Sequence, residues 1–191
     1  MKLLGLDIST KTGFAVINDE ALSDYGLIKS KIDASDDFSY LDKALDLGNS
    51  IGALIEKHRP DKIIIEQTNQ GRFRTQKLLE FIHMAVLLRI SALNLRSRVQ
   101  YIDTSRWRSI LKIRLTKEQR LHNKAVKQKL ARGKITSKHL AVLWVNNKFG
   151  MKLKLKDNDI ADAICLCCAI NETKKPTSSS ASIEAALGIR K

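Results

Sequence analysis

Four acidic side chains at the borders of apolar runs constrain the fold of this chain most strongly. An ionised carboxylate at the end of a buried element is costly unless a positive charge meets it. Brought together, several such carboxylates would form an all-oxygen cage for Mg²⁺ or Mn²⁺. The four acids are Asp7 after Leu3–Leu6, Glu66 after Ile63–Ile65, and Asp159 and Asp162 at the start of Ile160–Ile170.

The positive charge of the chain is concentrated in its middle. The net charge is +14, but residues 1–70 contain 8 Lys+Arg against 12 Asp+Glu, and residues 157–191 contain 4 against 5. Residues 71–156, the basic region, contain 22 Lys+Arg against 3 Asp+Glu. This imbalance favours a polyanion partner over a merely solvated face. A membrane surface is the weaker alternative because few aromatic residues accompany the bases.

The apolar patterns predict an α/β fold with a mixed sheet flanked by helices. Lys2–Ile8, Gly13–Ile17 and Ala21–Ser30 are predicted to form an antiparallel meander. Lys62–Glu66 has the short, β-branched composition of a central parallel strand, and Val99–Ile102 is the fifth strand.

Helices are predicted between and after these strands. Apolar spacing from Tyr40 to Ile55 fits a helix that ends before Pro60, and a long helix is predicted over about Thr75–Leu95. Thr104–Phe149 is helical and basic, and Asp159–Asn171 is the last helix. The candidate buried residues of the basic part are Trp107, Ile110, Leu111, Val126, Leu130, Leu140, Leu143 and Trp144.

These elements divide the chain into one domain and a tail. Residues 1–171 are predicted to form a single domain. Residues 172–191 are predicted to be a linker and tail, because Lys174–Ser182 has the composition of a flexible linker. Cys165, Cys167 and Cys168 are expected to be buried small side chains in a reducing, cytoplasmic compartment, with zinc binding as the lesser alternative.

The predicted elements could bring the four acids together. Neighbouring parallel strands could place Asp7 beside Glu66, while Asp159 and Asp162, three residues apart, would share one helix face. Both aspartates would lie in the first helical turn, where the helix dipole favours negative charge. Either could instead cap the helix, although Asp157 offers an equally good cap just upstream.

Three segments resemble the RuvC-type Holliday junction resolvases of the RNase H-like superfamily, especially divergent forms carried by phages. They are Gly5–Val16 (GLDISTKTGFAV), Ile63–Gln67 (IIIEQ) and Asp159–Ala163 (DIADA), and their order and spacing cover roughly residues 1–171. The last segment is the most specific. The first is shared with actin-like ATPases and sugar kinases, which need two such domains and a longer chain.

The resemblance implies an RNase H-like fold and a two-metal phosphodiesterase. Asp7, Glu66, Asp159 and Asp162 would hold two Mg²⁺ or Mn²⁺, one activating water and one stabilising the leaving 3′-oxygen. No histidine base is required, so the histidines are expected on the surface or in the core. The family acts as a homodimer through its long central helix. The apolar face of that helix here, Leu78 to Leu88, could equally be covered by its own sheet.

The DNA-binding candidates include places where the sequence departs from the family. The family often has an aromatic residue just after its second acid that wedges into the junction centre, but this chain has Thr68 and Asn69 there. Phe73 could take that role from a slightly longer loop, or be an ordinary core or surface residue. The basic stretch before the last helix is longer and richer than in the family. The candidates are Arg72, Phe73, Arg74, Lys124, Lys127, Lys129, Arg132 and Lys134.

Three functions compete on this evidence. The first is a crossover junction endodeoxyribonuclease that resolves four-way DNA junctions by paired nicks. The second is an RNase H-fold nuclease acting on RNA–DNA hybrid, flap or structured RNA. The third is a nucleic-acid-binding protein without catalysis, which would gain nothing from four carboxylates that repel its phosphate partner. The sequence does not separate the first two.

Overall fold

A computed structural model describes residues 1–33, 35–67 and 73–173, without the side chains of residues 73–75. The candidate Arg72 and the side chains of the candidates Phe73 and Arg74 lie outside the described residues. The predicted linker and tail from residue 174 onward also lie outside them.

The sheet combines an antiparallel meander with two parallel strands. β1 (Lys2–Asp7) pairs antiparallel with β2 (Lys11–Asn18), which pairs antiparallel with β3 (Ala21–Lys29). β4 (Lys62–Glu66) lies parallel to β1 on its other side, and β5 (Val99–Ile102) lies parallel to β4. The strand order is β3-β2-β1-β4-β5. The predicted mixed five-stranded sheet is therefore confirmed.

The described residues form six α-helices. They are α1 (Asp37–His58), α2 (Phe73–Ala92), α3 (Thr104–Ile110), α4 (Lys117–Lys127), α5 (Ser137–Phe149) and α6 (Asn158–Glu172). Among the described helices, none has both the length and the apolar character needed to span a bilayer.

The long basic stretch predicted as helical is divided into three helices. The chain leaves the helical conformation at residues 111–116 and again at 128–136. Thr116 caps α4 by accepting a hydrogen bond from Gln119 N–H, and the Gln119 side chain accepts one from Thr116 N–H. Before α5, Thr136 N–H donates to His139 Nδ1 in the same way. These two capping boxes mark helix starts within a stretch that the sequence pattern predicted only as helical and basic.

Helices cover both faces of the sheet. Successive residues of a strand point to opposite faces. Leu4 and Leu6 of β1 therefore pack with α1 and α2, including Leu47 and Ile82. Leu3 packs on the other face with α3, α5 and α6, including Trp107.

Two of the predicted core residues in the basic stretch are exposed instead. Leu130 is 79% exposed and Leu143 is 54% exposed, so the prediction was wrong for both. Trp107 and Leu111 are buried as expected. Leu130 lies after the end of α4, where the helical periodicity that suggested burial no longer applies.

Candidate metal centre

The parallel pairing of β1 and β4 places Asp7 beside Glu66. Leu6 is in register with Ile65, and the next residue of each strand is the acid. Both strands are central and apolar, so only their ends can carry a charge near solvent. The two carboxyl groups are close enough that the charge of Glu66 raises the pKa of Asp7.

Close packing of α6 on the sheet brings Asp162 to the same place. A Cβ atom on Gly5 of β1 would lie 2.3 Å from the carbonyl oxygen of Ala163. A Cβ atom on Gly13 of β2 would lie 2.0 Å from the carbonyl oxygen of Asp159. Any side chain at either glycine would therefore push the first turns of α6 away from the strands. The two glycines permit the approach that carries Asp162 to the end of β1.

Three of the four predicted acids gather within the reach of one cation. One carboxylate oxygen from each of Asp7, Glu66 and Asp162 lies within 4.8 Å of the others. Asp159 is outside this group but borders it, since its charge acts on both Asp7 and Asp162. Its Oδ1 lies 3.8 Å from the Nζ of Lys138, and its side chain is 22% exposed.

A nearby positive charge would stabilise the ionised carboxylates of this acid cluster. Burial raises the pKa of Asp7 to about 8, and the charges of Glu66 and Asp162 add to the effect. Burial, with the charge of Glu66, raises the pKa of Asp162 to about 7, against the opposing charges of Arg108 and Lys138. Each ionised form is disfavoured because water is excluded and like charges lie close by.

Within the described part of the chain, one oxygen of the cluster also lacks a hydrogen-bond partner. Asp162 is only 3% exposed, and its Oδ1 has no hydrogen-bond partner among the described residues. Hard divalent cations take carboxylate oxygens as ligands. A cation here would satisfy that oxygen and offset the repulsion between the acids, so the residues present fit Mg²⁺ or Mn²⁺.

Two residues that the sequence interpretation did not assign to the site hold Glu66 in place. The Oγ1 of Thr104 donates to Glu66 Oε1 at 2.6 Å, and the Nε1 of Trp107 donates to the same oxygen at 2.9 Å. Trp107 was predicted only as a core residue. Apolar periodicity predicts that a tryptophan is buried but not where its single N–H points. Outer hydrogen bonds of this kind orient ligating groups.

Two cations border the acids. The guanidinium of Arg108 lies over the Trp107 ring, 4.8 Å from its centre. Lys138, at the start of α5, donates to Asn158 Oδ1 at 2.5 Å, next to Asp159. Both residues oppose the rise in the pKa of Asp162. The rim of the acid cluster is therefore positively charged.

The remaining candidate residues are not members of the close group of Asp7, Glu66 and Asp162. Asp157 accepts a hydrogen bond from the backbone N–H of Lys154 at 2.9 Å and stabilises the turn before α6. His58 contacts Asp24, and His83 contacts Tyr101, as expected for surface and core roles. The basic candidates of the later part of the chain are all exposed: Lys124, Lys127, Lys129, Arg132 and Lys134.

Comparison with solved structures places this architecture among known folds. T. thermophilus RuvC in complex with Holliday junction substrate matches with a TM-score of 0.63 and 14% identity, covering 90% of this chain and 93% of that chain. A second Thermus thermophilus RuvC structure matches with a TM-score of 0.63 and 15% identity, covering 90% and 94%. The chain has the RuvC-type fold.

A third solved structure is less similar to this chain. The yeast mitochondrial Holliday junction resolvase Ydc2 matches with a TM-score of 0.47 and 17% identity, covering 89% of this chain and 78% of that chain. No protein-family model and no curated protein matches the sequence.

Proposed function

We propose that this chain is a metal-dependent endonuclease that cuts branched DNA, and that it resolves four-way junctions by paired nicks. The observation that carries the proposal is the acid cluster of Asp7, Glu66 and Asp162 at the ends of two parallel strands and one helix. The RuvC-type fold supports the choice of substrate, since one structure with this fold is of RuvC in complex with Holliday junction substrate.

The four acids have distinct places in the proposed site. Asp7, Glu66 and Asp162 would hold a divalent cation, and Asp159, at the border, would complete a site for two. When bound, such cations activate water for attack on phosphorus and stabilise the charge on the leaving 3′-oxygen. Thr104 and Trp107 orient Glu66 through its Oε1. Lys138 and Arg108 provide positive charge at the rim, where a negatively charged phosphate must approach the acids.

The charge distribution supports nucleic acid as the substrate. The basic region carries 22 Lys+Arg against 3 Asp+Glu. In the described part of the chain, the five exposed candidates from Lys124 to Lys134 are in no ion pair with an acid, so their charges are available for phosphate contacts.

The exposed side of α2 supports a homodimer as the acting form. Met84 is 61% exposed and Leu88 is 59% exposed, and both line an open groove of about 480 Å³ against β5. Much of the stripe from Leu78 to Leu88 is covered by the chain's own core, since Ile82 and Val86 are fully buried. The interface would therefore use Met84, Leu87 and Leu88. A two-fold enzyme matches a junction with two-fold symmetry most simply.

A matched set of substrates tests the proposed function. Four-way junction, flap, RNA–DNA hybrid and linear duplex of shared sequence would be incubated with the protein in Mg²⁺ and in Mn²⁺. We expect symmetric paired nicks near the branch point of the junction and little cleavage of linear duplex. Cleavage of hybrid or flap with junctions left intact would assign the site to another RNase H-fold nuclease activity. Tight binding without cleavage in either metal would indicate a non-catalytic binder.

A further inference from the structure

The segment between α5 and α6 alternates between the core and solvent. Met151 and Leu153 are partly buried and pack against the core cluster that contains Trp107. Lys152 and Lys154, between and after them, are exposed, as expected for an extended segment with one buried side. Lys156, two residues further on, is exposed as well. We call these three exposed lysines the lysine strip.

Side-chain hydrogen bonds hold the backbone of this segment in place. The Asn146 amide donates to the carbonyl of Leu153 at 3.0 Å and accepts from the N–H of Leu153 at 2.9 Å. The N–H of Lys154 donates to Asp157 Oδ2 at 2.9 Å. Asn146 belongs to α5 and Asp157 immediately precedes α6, so the segment is bonded to both of its flanking helices. The lysine strip therefore extends from a backbone with a defined position.

The charges of the lysine strip are not neutralised within the described part of the chain. None of its three lysines forms an ion pair with an acid there. The carboxylate of Asp157, the acid that follows Lys156, accepts from a backbone N–H instead. Cations just before the N-terminus of α6 also oppose its helix dipole, so they do not stabilise the helix. The three charges are therefore available to an anionic partner.

The lysine strip ends beside the acid cluster. Lys156 lies in a 3₁₀ turn, Leu155–Asp157, that leads directly into α6. Residues three apart along a helical path are neighbours, with about 5–6 Å between their Cβ atoms, so Lys156 lies next to Asp159. Asp159 borders the acid cluster, since its charge acts on Asp162. A phosphate bound by Lys156 would therefore lie close to one held at the acids.

The length of the lysine strip suits one strand of a nucleic acid. From Lys152 to Lys156 the chain can span at most about 14 Å, at about 3.3–3.6 Å per residue. One strand of a duplex carries a phosphate about every 3.4 Å along the helix axis, so this length corresponds to about four phosphates. The strip can therefore follow one strand over a few phosphates, with its Lys156 end next to the acids.

We propose that the lysine strip binds the backbone of the strand to be cut and so positions its scissile phosphate at the acid cluster. This inference rests on the proposed function and identifies which residues place the strand beside the acids. It adds a binding surface after α5, whereas the DNA-binding candidates from the sequence all precede α5. Lysine contacts to phosphates fix the register of a strand without reading its bases. The strip therefore sets the position of the nick rather than the sequence that is cut.

Uncharged phosphates show which positions the lysine strip contacts. Four-way junctions would carry a single methylphosphonate at successive positions within about five steps of the branch point, and the full chain would be titrated in EDTA at several salt concentrations. For wild type, a methylphosphonate at a contacted position should raise Kd and make the slope of log K against log salt shallower by about 0.9. Lys156→Gln should lose the effect at its own position and keep it elsewhere. Lys156→Arg should respond like wild type because it retains the charge.

Lys148→Gln provides the matched control. Lys148 is on α5, but its Nζ lies 3.8 Å from Glu172 Oε1 and 5.1 Å from the centre of the Trp144 ring. This variant should keep every methylphosphonate effect of wild type. A wild-type response at all positions in each single Lys→Gln variant of the strip would overturn the proposal. So would a marked loss of thermal stability in those variants, because exposed lysines that only contact DNA do not support the fold.

The same junctions separate the lysine strip from the proposed function. In Mg²⁺, the nick should lie within about four steps of the phosphates that depend on the strip, and a nick far outside this range would overturn the proposal. Normal cleavage without any strip-dependent phosphate would remove the strip and leave the function standing. Strip-dependent phosphates in a junction that is never cut would support the strip as a DNA contact and remove the nuclease function.

Discussion

The indole Nε1 of Trp107 donates a hydrogen bond to Glu66 Oε1 at 2.9 Å, from a fully buried ring in the core cluster that includes residues of the sheet and of α6. Thr104 donates to the same oxygen. Two donors from the first turn of α3 thus fix the carboxylate at the end of β4. Trp107 therefore connects the core of the protein to the acid cluster.

Removing the indole donor should therefore weaken metal binding more than folding. Trp107→Phe keeps most of the buried ring but leaves Glu66 Oε1 with one donor fewer. We expect the Mn²⁺ concentration for half-maximal cleavage, and the Mn²⁺ dissociation constant by calorimetry, to rise about 10- to 100-fold. Trp144→Phe is the control, because Trp144 is half-buried beside Lys148 and away from the acids. Equal metal dependence in the two variants would show that the Trp107 bond is only structural.

The raised pKa values of the acid cluster predict how stability depends on pH. The pKa of Asp7 is about 8 and that of Asp162 about 7, both above the ordinary value of 3.8. A carboxyl with a raised folded-state pKa binds more protons when folded, so its contribution is full below pH 4 and is lost as the pH rises through the folded-state pKa.

In EDTA, the free energy of unfolding should accordingly fall between about pH 4 and pH 8, by up to about 1.4 kcal/mol per pH unit for each group. Urea unfolding across this range would measure it. Asp7→Asn should flatten the curve, and Mg²⁺ should recover stability at the high end because a cation offsets the repulsion. A wild-type curve in EDTA that rises with pH would contradict the assignment.

The basic region, residues 71–156, predicts a strong dependence of DNA affinity on salt. If about six phosphates are contacted, log K against log salt should have a slope near −5. Lys124→Ala combined with Lys127→Ala should weaken junction binding and reduce the slope by about 2, since each contact contributes about −0.9. Lys29→Ala with Lys31→Ala is the control, as these exposed lysines lie outside the basic region. Titrations of junction DNA at several salt concentrations measure the slope. An unchanged slope in the Lys124→Ala, Lys127→Ala variant would place the binding surface elsewhere.

The exposed side of α2 predicts self-association. Met84→Glu with Leu88→Glu would place two charges in the proposed interface, where burying them is costly. We expect sedimentation velocity to show a dimer for wild type and a monomer for this variant, with thermal stability nearly unchanged because both side chains are exposed in the single chain. Leu143→Glu should remain a dimer. A wild-type protein that sediments as a monomer both free and on junction DNA would exclude the dimer.

Much of the sheet and of the acid cluster could be predicted from the sequence. β4 and β5 have the predicted bounds, because short β-branched runs between polar residues allow few alternatives. Parallel pairing then requires that Asp7 and Glu66 end side by side. The spacing of Asp159 and Asp162 placed both on the first turns of α6, yet only Asp162 joins the close group. Sequence spacing defines a shared face but not which residue of that face points at β1.

The basic stretch was less predictable. Its helical, basic pattern does not show that new helices begin after Thr116 and Thr136. Leu130 was therefore predicted to be buried, although it lies beyond the end of α4 and is exposed. The bonds from Thr104 and Trp107 to Glu66 depend on how α3 packs against the sheet, which periodicity does not encode.

Cleavage of a four-way junction by acid-cluster variants tests the central claim most directly. Asp162→Asn keeps the shape of the side chain but removes the charge that would bind a cation at Oδ1, which has no hydrogen-bond partner among the described residues. In Mg²⁺, wild type should make paired nicks, and Asp162→Asn, Asp7→Asn and Glu66→Gln should lose turnover while still binding the junction in EDTA. Asp157→Asn, which alters only the turn before α6, should cut at nearly the wild-type rate. Undiminished cleavage by the three acid-cluster variants would contradict the account.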